Sequence, residues 1–330
     1  MKILNLIRYK NLIFIVLIQW LVFNSVITPI LIKYGLHILL PNFVFWLIVL
    51  ATVLIAAGGY VINDYFDLKI DRINRPEKVI VGEQIPKKSA MSFYIALTSI
   101  GVLIGIITSI LLKSSTLGFI FIITAGMLWF YSSTYKRQFL IGNLIVAFCS
   151  ALSLLVVLAA ECSLQISCYS IELLRQTPVL QELYRWGCGF ALFAFVFTLI
   201  REIIKDLEDI EGDREMECRT LPIIFGECKA KIVVTCLLSI TLIVLFFLVK
   251  NFNLPAENGI SIKYFAMGTG FPSFLALVFL WEKKLDNHYK NSGNLIKFIM
   301  LIGMLYALIF NYLIAKSYGF AFLGIFQVVN

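Results

Sequence analysis

The sequence predicts an all-α fold in which about nine helices cross a membrane. Of its 330 residues, 60% are hydrophobic and the mean hydropathy is +0.90, whereas a soluble domain is about 45–50% apolar. The apolar residues fall into separate stretches whose length is close to the about 20 residues that an α-helix needs to span a bilayer. The composition therefore indicates a polytopic integral membrane protein.

Nine apolar stretches are candidates for these helices. The first is too long for the apolar core of a signal peptide and lacks a small-residue cleavage site, so we expect it to span the membrane. We predict a single transmembrane domain over residues 1–330, in which a repeated order of elements indicates two halves at about 1–140 and 141–330. The predicted spans are 12–34, 43–62, 90–112, 116–132, 142–160, 186–204, 230–250, 263–281 and 295–316.

The basic residues predict how the helices are oriented. A net charge of +8 would suggest a nucleic-acid partner in a soluble protein, but in a membrane protein Lys and Arg gather in cytoplasmic loops. With the N-terminus in the cytoplasm, the inner segments carry 20 Lys and Arg residues and the outer segments carry 7. We therefore expect a cytoplasmic N-terminus, a C-terminus outside, and no nucleic-acid partner.

Two acidic clusters with the same spacing follow apolar stretches on the predicted cytoplasmic side. Each has aspartates at positions i, i+3 and i+7, which lie on one face of an α-helix. They are Asp64, Asp67 and Asp71 in the first acidic cluster and Asp206, Asp209 and Asp213 in the second acidic cluster. The segments 64–83 and 202–227 hold 14 of the 20 acidic residues. Solvated loops would spread these charges more evenly.

The clusters indicate a site for Mg²⁺ and an anionic ligand such as a diphosphate. Like charges packed together are destabilising unless cations neutralise them, and Mg²⁺ is usually held by one or two carboxylates together with substrate phosphates. If the diphosphate were the leaving group of an allylic isoprenoid, the metal would stabilise the charge that develops as the C–O bond breaks. The candidate cations for the diphosphate are Arg75, Lys78, Lys136, Arg137 and Arg201.

Other readings remain open from the residues alone. The acidic segments could be solvated loops, although these would not repeat the spacing. A transporter of an anionic substrate would favour broken helices and charges near the membrane midplane, whereas these charges lie at one face. The seven cysteines follow no metal-binding pattern, and a disulfide between Cys162 and Cys168 stays open.

The two acidic clusters resemble the signatures of the UbiA-type intramembrane prenyltransferases. Asn63-Asp64-x-x-Asp67-x-x-x-Asp71 is similar to the first signature of that family, and Asp209-x-x-x-Asp213 is similar to the second. The resemblance implies nine helices around a central lipid-open cavity and catalytic roles for Asp67, Asp71, Asp209 and Asp213. It implies that these aspartates and Asn63 bind Mg²⁺ and diphosphate, with Asp64 and Asp206 as supporting residues.

Two further segments resemble substrate-binding parts of the family. The stretch from Tyr131 to Lys136 is similar to a basic, tyrosine-containing stretch after the fourth helix, which implies that Tyr135 and Lys136 contact the diphosphate. The segment from Arg8 to Asn11 is similar to the one that opens the first helix near the acceptor. Arg8 and Asn11 are therefore expected to contact the acceptor.

The acceptor differs among members of the family. The runs 63–76 and 201–222 are most similar to the group that acts on geranylgeranylglyceryl phosphate, although the residues after Asn74-Arg75-Pro76 lack the Pro-Ser-Gly turn of many members. The resemblance implies Mg²⁺-dependent transfer of a geranylgeranyl group from its diphosphate to that lipid, in a bacterial or archaeal cell membrane. An aromatic quinone precursor, hydroxybenzoate or dihydroxynaphthoate, stays open as the alternative acceptor.

Overall fold

The computed structural model describes residues 2–251, 258–282 and 287–326. Within these ranges, nine helices are long and apolar enough to cross a membrane, which confirms the predicted all-α polytopic fold. They are α1 (Tyr9–Lys33), α2 (Asn42–Phe66), α3 (Lys87–Leu111), α4 (Ser115–Ser133), α5 (Ile141–Tyr169), α6 (Val179–Glu208), α7 (Glu227–Lys250), α8 (Gly259–Trp281) and α9 (His288–Tyr318).

Proline and glycine mark several helix ends. Helices α2, α3 and α6 begin directly after Pro41, Pro86 and Pro178. Proline suits this place because it has no N–H to donate inside a helix, and its fixed φ is compatible with the start of one. Helix α9 ends at Tyr318 and is followed by Gly319, whose φ of 73° lies in the left-handed region that glycine adopts without steric cost.

Two spans contain a π-helical turn just before a proline. The turn Phe23–Ile27 precedes Pro29 in α1, and the turn Ala266–Gly270 precedes Pro272 in α8. A proline ring clashes with the carbonyl one turn earlier, and a π-helical turn places an additional residue in the helix at this point. Both helices therefore continue across the membrane despite their prolines.

Helix α6 lies at the centre of the bundle, packed between α5 and α9 and buried along most of its length, whereas α3 and α7 are largely exposed. Helices α2 and α3 approach closely through small residues. A Cβ atom at Gly58 would lie 2.3 Å from Thr98 Oγ1, and one at Gly101 would lie 2.8 Å from Ile55 Cγ1. The largest buried cluster draws on helices from both predicted halves, and the two-half organisation stays a prediction.

The segment 161–185, between the fifth and sixth predicted spans, is largely helical. Helix α5 continues to Tyr169 and α6 begins at Val179, with the short helix Ile171–Arg175 between them. Glu161 explains the extension of α5, because its carboxylate accepts hydrogen bonds from the backbone N–H groups of Leu39, at 3.0 Å, and Leu40, at 2.9 Å. A buried charge that is fully hydrogen-bonded can stay inside a bundle.

Cys162 and Cys168, between which the sequence left a disulfide open, lie on one helix. Cys162 is buried and Cys168 is exposed, and both are free thiols on α5. Residues separated in this way along one helix point to different sides, so their Cβ atoms cannot approach to the distance that a disulfide requires. The structure therefore does not support a bridge between them.

Candidate active site

The two acidic clusters occupy equivalent positions at the ends of α2 and α6. In each, the first aspartate lies in the last turn of the spanning helix, the second at its end, and the third in a short helix that follows, Leu68–Asn74 or Ile210–Glu215. Backbone hydrogen bonds run on through both junctions, from Asp71 N–H to Asp67 O at 2.8 Å and from Asp213 N–H to Asp209 O at 3.1 Å. The predicted repeat of spacing is thus also a repeat of local structure.

Asn74, at the end of the first short helix, bonds directly to the second acidic cluster. Its Nδ2 donates to the carbonyl oxygen of Asp209 at 3.2 Å, and its Oδ1 accepts from the N–H of Gly212 at 2.9 Å. Arg75 adds ion pairs to Asp209 at 2.7 Å and to Glu208 at 3.1 Å. The two clusters are therefore held beside each other by the residues that follow the first one.

Polar groups of the protein also bond to four of the other aspartates of the two clusters. Asp67 is almost fully buried, and its Oδ2 contacts both Lys136 and Asn63, whose Nδ2 donates at 2.7 Å. The other pairs are Arg8 with Asp64 at 2.7 Å, Asn143 with Asp206 at 2.8 Å and Thr220 with Asp213 at 3.3 Å.

A cavity of about 630 Å³ lies between the two clusters, and all six aspartates line it. We call it the polar cavity. Among the described residues that line it, nine are acidic and nine are basic. The basic residues are Arg8, Lys10, Arg75, Lys136, Arg137, Arg201, Lys205, Lys290 and Lys297. The lining thus carries as many basic as acidic side chains, and the predicted need of the carboxylates for nearby cations is met in part by the protein itself.

A second cavity, of about 420 Å³, adjoins the polar cavity and shares lining residues with it, among them Asn63 and Tyr131. We call it the apolar chamber, because most of its other lining side chains are hydrocarbon. These include Phe14, Ile18, Ile55, Phe121, Leu128, Val156, Met300 and Leu301. Both cavities fall in the range of about 300–1,000 Å³ that is usual for small-molecule sites. Together they suit a ligand with a charged head and a long apolar tail.

The pKa values of groups outside the spans reflect this crowding. Burial raises the pKa of Asp213 to about 6, and the nearby charge of Asp209 also raises it. Burial, and then the charge of Asp67, raise the pKa of Asp71. Burial alone would lower the pKa of Lys136, but the carboxylates, Asp67 above all, raise it above its ordinary value. The lysine is therefore a permanent cation, while two of the carboxyl groups would gain from a further positive charge.

The residues present fit a divalent metal that binds together with a phosphate ligand. The Oδ1 atom of Asn63 is buried and has no hydrogen-bond partner among the described residues, and an amide oxygen is a donor that hard cations accept. In the described ranges, no three carboxylate, imidazole or thiol groups lie close enough to hold one ion. Mg²⁺ commonly uses only one or two carboxylates and completes its shell with phosphate and water, so the donor set matches this ion.

Most of the predicted site residues meet at the polar cavity. Besides the six aspartates, its lining includes Arg8, Asn11, Asn63, Arg75, Lys136 and Arg201. Tyr135 lines neither cavity, and its ring lies 6.3 Å from that of Phe130. The side chain of Lys78 lies outside the described part of the structure.

Several lining residues were not singled out from the sequence as site residues. Asn143, Lys205 and Lys297 line the polar cavity, and all three belong to spanning helices. Polar or charged residues inside an apolar span are costly in a bilayer and mark functional sites, so a search for them within the predicted spans could have found Asn143 and Lys297, whereas Lys205 lies just beyond the predicted span 186–204. Asn74 belongs to the Asn74-Arg75-Pro76 run noted in the sequence. Its hydrogen bonds to the second acidic cluster, however, join residues that are far apart in the sequence, so the run alone does not predict them.

The fold and site define a membrane-embedded prenyltransferase. The chain belongs to the UbiA prenyltransferase family, whose sequence model matches residues 21–292. This membership confirms the predicted class of enzyme, a prenyltransferase, and rules out the alternative that the chain is a transporter.

Several similar proteins come from archaea. The digeranylgeranylglyceryl phosphate synthase of Methanosphaera stadtmanae is 34% identical over 194 residues, or 57% of this chain and 62% of the relative, so the chain spans less than two thirds of that protein's length. A solved structure of a digeranylgeranylglyceryl phosphate synthase in membranes has a TM-score of 0.59 and 23% identity, covering 93% of this chain and 96% of the other. A UbiA homologue from Archaeoglobus fulgidus bound to DMAPP and Mg²⁺ has a TM-score of 0.52 and 17% identity, covering 92% and 99%.

Proposed function

We propose that this chain transfers a geranylgeranyl group from geranylgeranyl diphosphate to the hydroxyl group of geranylgeranylglyceryl phosphate, with Mg²⁺ as cofactor. The observation that carries the proposal is that the polar cavity adjoins the apolar chamber. An allylic diphosphate likewise has a charged diphosphate head joined to an apolar isoprenoid tail. The Methanosphaera synthase supports the acceptor. The Archaeoglobus homologue, with its bound DMAPP and Mg²⁺, supports the donor and the metal.

The metal would be held by the predicted ligands, which are Asn63, Asp67, Asp71, Asp209 and Asp213, with Asp64 and Asp206 as support. When bound, Mg²⁺ supplies positive charge to the diphosphate as it leaves. Lys136 and Arg75 are already fixed in the polar cavity by Asp67 and Asp209. Charges that are in place before the reaction need no reorganisation during it, which is the main source of electrostatic catalysis.

The apolar chamber protects the reacting carbon. The bond between C1 and oxygen of the donor breaks and the diphosphate keeps the electron pair. The acceptor hydroxyl oxygen then bonds to C1 and gives up its proton, which the released diphosphate can accept. Hydrocarbon side chains such as Leu128 and Phe14 exclude water that would otherwise capture the allylic cation. Tyr131 lines both cavities, where an aromatic ring can stabilise a cation over its face.

The orientation in the membrane belongs to the same proposal. The basic residues support a cytoplasmic N-terminus, and the ion pair between Arg8 and Asp64 keeps that terminus beside the first acidic cluster. Both clusters would then open to the cytoplasm, where water-soluble precursors of the donor are available, and the C-terminus would lie outside.

The experiment is a reaction with defined substrates. Purified protein in detergent is incubated with isotopically labelled geranylgeranyl diphosphate, Mg²⁺ and either geranylgeranylglyceryl phosphate, hydroxybenzoate or dihydroxynaphthoate, and the extract is analysed by mass spectrometry. We expect labelled digeranylgeranylglyceryl phosphate. A product formed only from an aromatic acceptor would overturn the lipid assignment and leave the donor and metal standing.

A further inference from the structure

Lys297 is a charged residue inside a spanning helix and has no polar partner among the described residues. It lies roughly 13 Å along α9 from its first residue, at 1.5 Å per residue. It lines both the polar cavity and the apolar chamber. Within the described residues it forms no hydrogen bond or ion pair. A charged residue placed in this way inside a membrane protein is by default a candidate for ligand binding.

Four of the other eight cations that line the polar cavity are committed to carboxylates. Arg8, Arg75, Lys136 and Arg201 each form an ion pair with a neighbouring carboxylate. The carboxylates that act electrostatically on Lys297 are Glu202 and Glu208, and these are already paired with Arg201 and Arg75.

The positive charges of Arg201 and Arg75 also act on Lys297. Cations close to one another repel, and each of the two carboxylates near Lys297 is already paired with an arginine. This part of the polar cavity is therefore prepared for an anion that the protein does not itself supply.

The surrounding face of α9 changes from polar to apolar at Lys297. Lys290, Gly293, Asn294 and Lys297 line the polar cavity, and Met300 and Leu301 line the apolar chamber. These positions are three, four and seven residues apart and so share one side of the helix. Lys297 is the last charged group along this face before hydrocarbon begins, which is where the head group of an amphiphile would lie.

We propose that Lys297 binds the phosphate monoester of the lipid acceptor, at a subsite separate from the groups that hold the diphosphate of the donor. This inference rests on the proposed function. A second phosphate in the same cavity needs cations of its own, because Lys136 and Arg75 are fixed at the acidic clusters. Arg8, which the sequence indicated for the acceptor, is paired with Asp64 and lies over the ring of Tyr60.

The test measures binding without catalysis. Calorimetry on the purified full chain compares the wild type with Lys297→Met, Lys297→Arg and the control Lys88→Met, an exposed lysine that lines neither cavity. The three ligands are soluble glycerol phosphate, a long-chain monoalkyl ether of glycerol phosphate in nanodiscs, and inorganic diphosphate with Mg²⁺.

We expect Lys297→Met to weaken binding of the glycerol phosphate lipid by about 10- to 100-fold, the effect of losing a hydrogen bond to a charged group. Diphosphate affinity should stay within about twofold of the wild type, which also shows that the variant is folded. Lys297→Arg should retain most of the lipid affinity. Unchanged lipid binding in Lys297→Met, or an equal loss for lipid and diphosphate, would overturn the inference.

The two phosphate sources give different results. Lys297-dependent binding of the lipid supports the acceptor subsite. If soluble glycerol phosphate binds and the lipid does not, the subsite holds a free phosphate and not a lipid head group, and the inference is overturned. The proposed function fails separately, if Lys297-dependent lipid binding is found but no prenylated lipid is formed.

Discussion

The side chain of Asn74 and the backbone of Gly212 are joined so closely that no side chain fits between them. The N–H of Gly212 donates to Asn74 Oδ1 at 2.9 Å, and a Cβ atom at Gly212 would lie 2.5 Å from Asn74 Nδ2. A hydrogen bond of this kind contributes only about 0.5–1.5 kcal/mol to net stability. Its importance is that it fixes the distance between the two acidic clusters.

Gly212→Ala should therefore impair the site more than the fold. We expect more than a tenfold loss of turnover and a destabilisation of about 1–3 kcal/mol, typical of an added methyl group in a packed place. The matched control is Gly189→Ala on α6, where a Cβ atom would meet nothing within 4 Å. Initial rates and thermal unfolding check both variants. Wild-type turnover in Gly212→Ala would show that the contact between the clusters is dispensable.

Lys136→Met should make the protein depend on Mg²⁺ for its stability. The substitution leaves the buried carboxylate of Asp67 without its cation, and breaking a buried ion pair in this way costs about 3–5 kcal/mol. Because Lys136 is 21% exposed, we expect the lower part of that range. Mg²⁺ would replace the missing charge, so the rise in Tm on adding Mg²⁺ should be larger in the variant than in the wild type. An equal or smaller rise would mean that the metal does not reach Asp67.

Activation by Mg²⁺ should weaken in mild acid. The pKa of Asp213 is raised to about 6, so the folded, metal-free protein holds a proton there between the ordinary carboxyl pKa and about pH 6. Over this window the proton stabilises the folded state, and the contribution is lost as the pH rises. A metal must displace the same proton. The Mg²⁺ concentration for half-maximal activity should therefore increase as the pH falls below about 6.

Thr220→Ala tests this assignment. The hydroxyl of Thr220 donates to Asp213 at 3.3 Å and lowers its pKa. Removing the hydroxyl should move the onset of the Mg²⁺ effect to a higher pH. An onset that does not move would assign the titration to another group.

The fold and the clusters could be predicted from sequence because both depend on local patterns. The apolar runs predicted the nine spanning helices, and the i, i+3, i+7 spacing predicted that the six aspartates that line the polar cavity belong to one site. The contact of Asn74 with Gly212, and the position of Lys297 between two cavities, depend on how distant helices pack, which spacing does not contain. The extension of α5 through Glu161 was missed for the same reason, since its partners Leu39 and Leu40 lie in another loop.

Cysteine labelling can test the orientation of the helices. The charge bias places the start of α3 in the cytoplasm and the end of α9 outside. In a background without the native cysteines, Ser89→Cys and Ser317→Cys, both at exposed positions, should react with a membrane-impermeant reagent from opposite sides. Reaction from the same side would contradict the predicted topology.

Binding of geranylgeranyl diphosphate in the presence and absence of Mg²⁺ tests most directly whether both acidic clusters hold one diphosphate. The variants are Asp67→Asn, Asp209→Asn and their combination, with Glu215→Gln, which lines neither cavity, as the control. If the clusters form one site, each single variant should lose at least about 100-fold in Mg²⁺-dependent affinity, and the double variant should lose little more, because groups that act as a unit are not additive. Wild-type Mg²⁺-dependent binding in either single variant, or full binding in chelator, would contradict a shared metal–diphosphate site.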